Sequence, residues 1–150
     1  MNRLWKFLPL LTLVFVFLVY HNYILARNAF TSTKNSVLSI NMQSFPTSVK
    51  YSSATSFSWN ISSTKDFKTN FTTIFYGYTS TPSALTIKDS PSAVGYPYLV
   101  SDYLGGTYSL PDTFNANVIF NKIGRVWYRA YAKVGEDHLW SEEKYLDVKP

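Results

Sequence analysis

Two histidines, nine carboxylates and an abundance of hydroxyls are the groups in this 150-residue chain from which a reactive site could be built. There is no cysteine, so disulfide frameworks, thiolate metal sites and a cysteine nucleophile are excluded. His21 falls in an apolar run, and His138 stands alone beside Glu136 and Asp137, which is not zinc-ligand spacing. Asp89, Asp102 and Asp112 are scattered without Asp-x-Asp spacing, so they read as solvated turn carboxylates rather than calcium ligands. The 18 serines and 14 threonines include no G-x-S-x-G nucleophile motif, and chance alone supplies Ser/Lys pairs in so hydroxyl-rich a chain. The expectation is a protein that is not an enzyme and uses no metal and no cofactor.

Aromatic residues, 18% of the chain, supply candidates for binding instead. Tyr96, Tyr98, Tyr103 and Tyr108 crowd a stretch containing Gly and Pro, where tyrosines offer large contact area at low entropic cost. The competing reading is that these rings cover an open sheet edge. In RVWYRAYAK, Trp127 and Tyr131 share a parity with Arg125 and Arg129. That pattern makes an aromatic and guanidinium face for a sugar or a protein partner, or equally a set of arginine stems laid over neighbouring rings. Sequons at Asn60 and Asn70 are glycosylation acceptors if the host modifies exported chains.

The elements that must carry these residues begin with residues 7–26, FLPLLTLVFVFLVYHNYILA, a run of 20 without charge. As a helix it spans roughly 30 Å, the hydrocarbon thickness of a bilayer. Arg3 and Lys6 precede it on a short flank, which favours a cytoplasmic N-terminus and everything after residue 30 outside. The strongest apolar stretch, 8–20, has only 13 residues, so a secretory signal cleaved after Ala26, giving a secreted protein, stands beside the retained anchor. The formal charge of +5 divides into +4 on residues 1–34 and +1 on the rest. A nucleic-acid partner needs its cations on the folded domain, and is excluded.

After residue 30 no stretch keeps helical apolar spacing over three turns; the signals are of period two. Phe57, Trp59 and Ile61 alternate with Ser56, Ser58 and Asn60, and Phe114, Ala116, Val118 and Phe120 alternate with polar neighbours. Residues 71–78 and 125–133 are aromatic and β-branched, Gly135-Glu136-Asp137 turns the chain into a strand over 138–148, and further pieces lie at 37–42 and 49–54. An edge strand is expected at 84–88, inside the long stretch 82–111. These elements predict an all-β antiparallel sandwich of about seven strands, preceded by one transmembrane helix.

The order SFSWNI, NFTTIFYGYTS, DTFNANVIF, GRVWYRAYAKV, HLWSEEKYLDV resembles strands B, C, E, F and G of a fibronectin type III or immunoglobulin-like domain over residues 50–148. The resemblance implies core roles for Trp59 on strand B, Tyr76 on strand C and Tyr128 as the tyrosine of a strand F corner. Strand parity adds Phe114, Val118 and Ala130 to that core and puts Arg129 and Asn117 outside it. The chain then divides into flank and membrane or signal segment (1–26), stalk (27–35) and sandwich (36–150). Such domains serve adhesion and scaffolding alike, so the expected function is a membrane-anchored extracytoplasmic module acting through protein or glycan contacts. A surface-filament subunit donating residues 37–42 to a neighbour's sheet is the second reading, and an anchored hydrolase the third.

Overall fold

The computed structural model describes residues 38–150 and, ahead of them, Tyr20 alone. Tyr20 apart, the membrane or signal segment and the stalk lie outside the described residues, and among the described residues no helix is long and apolar enough to cross a membrane. The described residues form eleven strands: β1 (Ser39–Ser44), β2 (Ser48–Lys50), β3 (Ala54–Ser62), β4 (Phe67–Thr69), β5 (Phe71–Gly77), β6 (Tyr98–Leu99), β7 (Tyr108–Leu110), β8 (Asp112–Ile119), β9 (Gly124–Val134), β10 (Asp137–Trp140) and β11 (Lys144–Lys149). A single helical turn, α1 (Pro91–Val94), lies between β5 and β6.

One sheet runs β1-β3-β8 and the other β2-β11-β9-β5-β6, with β10 also on β9 and a separate pair β4-β7. The pairings are antiparallel except β2 with β11. In sandwich letters this is A-B-E facing A′-G-F-C with a short C′ edge, the immunoglobulin-like arrangement. Period-two alternation decides which faces meet, because successive strand residues point to opposite sides. Phe57, Trp59 and Ile61 of β3 and Phe114, Ala116 and Val118 of β8 face Ile74 of β5, Val126, Tyr128, Ala130 and Ala132 of β9, and Leu146 and Val148 of β11 in one core. Of the expected core residues only Tyr76 stays half-buried, at the margin of that core.

Trp59 is fully buried, stacked on Phe114 with centroids 5.8 Å apart. Its indole nitrogen donates to Thr72 Oγ1 at 2.8 Å, and that hydroxyl donates to the Tyr131 carbonyl at 2.7 Å. The polar handle of the largest core ring is thereby satisfied by the facing sheet, as buried indoles require.

Several expectations are corrected. Residues 84–88 form no strand; the edge strand is β6, paired with β5 through Phe75↔Leu99 and Tyr76↔Tyr98. The piece at 49–54 is β2 followed by a turn, and the strand over 138–148 is two strands, broken at residues 141–143. At that break Ser141 occupies the place of a ladder residue, its N–H donating to the Ala130 carbonyl and its Oγ accepting from the Ala130 N–H, both at 2.9 Å. The β9–β10 hairpin closes on Gly135 at φ 59°, suiting the first position of a type II′ turn.

Tyr128 does not form a tyrosine corner. Its hydroxyl lies 3.4 Å from the carbonyl oxygen of Pro46, between β1 and β2, rather than reaching the turn just before its own strand. So long a bond is weak. Replacing Tyr128 by Phe is expected to cost about 0.5–1 kcal/mol, the lower half of the range for a single hydrogen bond, measurable as a small shift in the urea midpoint.

Candidate binding surface

The outward residues of β5, β9, β10 and β11 form one face that divides into a covered half and an open half. On the covered half, Phe75 and Tyr131 join Tyr96 of the long connection in a second apolar cluster, with Phe71, Val94, Trp127 and Trp140 packed against it. Tyr131 lies edge-on to Phe71 and Phe75 with centroids at 5.6 and 5.4 Å, and its hydroxyl is 2.6 Å from His138 Nδ1. The Trp140 indole donates to the Asp89 carbonyl at 2.7 Å and the His138 N–H to the Ile87 carbonyl at 3.1 Å, so residues 87–89 are stitched to β10.

Arg129 is the centre of this covering. Only 5% exposed, it donates through Nη2 to the carbonyls of Thr81 (2.8 Å) and Ser83 (3.2 Å), through Nη1 to the Ser141 carbonyl (3.0 Å), and through Nε to the Tyr96 hydroxyl (3.2 Å). Glu143, brought inward by the break between β10 and β11, accepts from Ser80 Oγ at 2.6 Å, from the Thr81 N–H at 2.7 Å and from the Tyr96 hydroxyl. One cation and one carboxylate therefore clamp both ends of the 80–96 segment. Opposite charge and complete hydrogen bonding are what make a buried arginine tolerable.

Burial alone would raise the Glu143 carboxyl, but the hydrogen bonds from Ser80, Tyr96 and Thr81 and the Arg129 charge outweigh it and hold the group below its ordinary range. Burial, with the hydrogen bond to Glu143, pushes the Tyr96 phenol up to about 12. For a carboxylate with a depressed folded value, the stabilisation is complete above the unfolded value of about 4.3 and is lost as pH falls through the folded one. Acid denaturation should accordingly steepen below about pH 4.3. A Glu143→Gln variant, less stable at neutral pH, should show a flatter pH dependence in that window when followed by circular dichroism.

The open half lies toward the start of β9 and the end of β11, where Trp127↔Tyr145 and Arg125↔Asp147 are cross-strand pairs. Trp127 is half-buried and Tyr145 is 45% exposed, their rings 5.1 Å apart. The Arg125 guanidinium sits 4.1 Å over the Tyr145 ring and meets Asp147 in a two-point ion pair, Nε to Oδ1 at 2.9 Å and Nη2 to Oδ2 at 3.2 Å. The arginine's hydrogen bonds and charge hold the Asp147 carboxyl below its usual value. Gly77, level with Trp127 on β5, marks the boundary, since a Cβ there would come within 3.0 Å of the Pro97 side chain at the end of the covering segment.

The structure thus separates the eight candidates. Arg125 and Trp127 share the open half, and Tyr98 is 47% exposed at the β6 edge, stacked on Tyr76. Tyr96, Arg129 and Tyr131 are buried, a correction to the exposed aromatic and guanidinium face: outward parity holds, but the long connection occupies the outside. Tyr103 and Tyr108 are half-buried, both edge-on to Phe114, with Tyr103 also against Trp59. Tyr145 and Asp147 were missed, because an unbroken strand from Leu139 puts Tyr145 on the core side, and the break shifts the parity by one.

Asn60 is tied into the sheet, donating to the Asp112 carbonyl and to Thr113 Oγ1, each at 3.1 Å, while Asn70 is exposed in the turn before β5. The buried Ser141 hydroxyl donates to the Glu142 carbonyl at 3.0 Å. Among the described residues no three His, Asp or Glu side chains come together as metal ligands would.

The chain is thus an immunoglobulin-like sandwich with one sheet face half open. No protein-family model matches it, and no curated protein does. Among solved structures it is similar to the PKD domain of M14-like peptidase from Thermoplasmatales archaeon SCGC AB-540-F20, at 12% identity and a TM-score of 0.49, covering 77% of this chain and 99% of that one.

Proposed function

We propose that this protein is an extracytoplasmic binding module: one immunoglobulin-like or fibronectin-III-like sandwich carried on a membrane segment at 7–26, presenting the open half of its outer sheet face to a protein or glycan partner. The observation that carries the reading is the division of that face. The connection seals Phe75, Arg129 and Tyr131 and stops at Pro97, leaving Tyr145 and Arg125 accessible with the half-buried Trp127 beside them. Uncovered Trp, Tyr and Arg are the residue types on which binding energy concentrates.

The filament reading has less support, since β1 is already paired with β3 from Ser39 to Ser44 and would have to leave its own sheet to be donated.

A photo-crosslinking residue at position 145 of the full chain, in its native membrane, should capture a partner, while the same residue at Asn117 on the opposite sheet should not. Equal labelling from both positions, or labelling from Asn117 alone, contradicts the proposal.

A further inference from the structure

Resting on that reading, we infer that the open half-face takes a carboxylate-bearing glycan, of the uronate or sialate class. The face offers two things a sugar ring needs. Trp127 and Tyr145 provide aromatic surface for the apolar C–H side of the ring. Beside them the Arg125–Asp147 pair sets a donor next to an acceptor, since the two-point bond leaves Nη1 hydrogens and carboxylate lone pairs free. A sugar hydroxyl both gives and takes a hydrogen bond, so it fits such a pair better than a purely cationic or purely acidic patch.

Charge selects the class. Lys149 follows Tyr145 and Asp147 on the same parity of β11, and its register partner on β2 is Lys50. Three cations, Arg125, Lys50 and Lys149, therefore stand on this face against the single carboxylate of Asp147, and the excess is matched by an acidic sugar and not by a neutral one.

Size separates a glycan from a protein. Three strands, β9, β11 and β2, about 4.8 Å apart and some three outward residues long make a patch of roughly 200 Å². A stable protein interface takes about 800 Å² from each partner. Two or three sugar rings fill the smaller area.

Full-length protein in detergent micelles is titrated with hexamers of galacturonate and of sialate, with cellohexaose, and with polyglutamate of matched charge, by calorimetry at low and high salt. At least one carboxylated hexamer should bind, weakening about tenfold as screening increases, with cellohexaose and polyglutamate each about tenfold weaker or worse. Tyr145→Ser and Lys149→Glu, both at exposed positions, should each reduce that binding about tenfold while keeping a cooperative thermal transition. Equal binding of cellohexaose removes the acidic class, equal binding of polyglutamate removes the sugar, and binding of neither hexamer, or indifference to both substitutions, overturns the inference. If neither hexamer binds but a protein is captured from position 145, the glycan assignment fails while the open-face reading stands; no capture from that position removes the reading itself.

Discussion

Replacing Arg129 by alanine is expected to lower the stability of the domain by about 3–5 kcal/mol, because it removes several hydrogen bonds from one buried charged group, each worth about 1.5–3 kcal/mol and not additive. The guanidinium satisfies the carbonyls of Thr81, Ser83 and Ser141 and the Tyr96 hydroxyl at once. Its removal leaves these without a donor and leaves Glu143 without its neighbouring cation. Arg129→Met, which keeps the stem and its packing, should recover only part of the loss, because carbonyls desolvated in place still lack partners. Strand parity alone puts Arg129 on the surface, where alanine costs within about 0.5 kcal/mol. Urea unfolding distinguishes the two values clearly.

Trp59→Ala should be of comparable size, about 3–5 kcal/mol, the range for deleting a large aromatic from a packed core. The ring contacts Phe114 and Tyr103, and its indole nitrogen holds Thr72 across the sandwich. A cavity therefore opens on both sides of the inter-sheet layer, and a small domain with only 5–15 kcal/mol in total is left marginal. Asn117→Ala, exposed on the outer side of β8, is the matched control and should move the midpoint by no more than about 0.5 kcal/mol. Retention of a cooperative transition near the wild-type midpoint by Trp59→Ala would mean that β3 is not in the register described.

The sandwich was legible because its signals are local. Alternation in β3, β8 and β9 assigns Trp59, Phe114, Val118, Tyr128 and Ala130 to the core, and nothing tertiary overrides it. What lay beyond the sequence was the second layer. Residues 80–96 hold no periodic pattern, and a single turn of helix and a few backbone carbonyls fix their path. Nothing in that stretch announces that Thr81 and Ser83 will receive Arg129. The same holds for the parity of β11: the break at 141–143 depends on Ser141 bonding to Ala130 and Glu143 turning inward, both tertiary events. A one-residue shift there decides whether Tyr145 and Asp147 belong to the core or to the open face.

Tyrosine footprinting of the full-length protein with hydroxyl radicals, read residue by residue, tests the division of the outer face most directly. The account predicts strong modification of Tyr145, protection of Tyr96 and Tyr131, and loss of that protection in Arg129→Ala. Modification of Tyr96 and Tyr131 to the same extent as Tyr145 in the wild-type protein would show that the connection does not cover the face, and would contradict both the clamp and the binding surface it delimits.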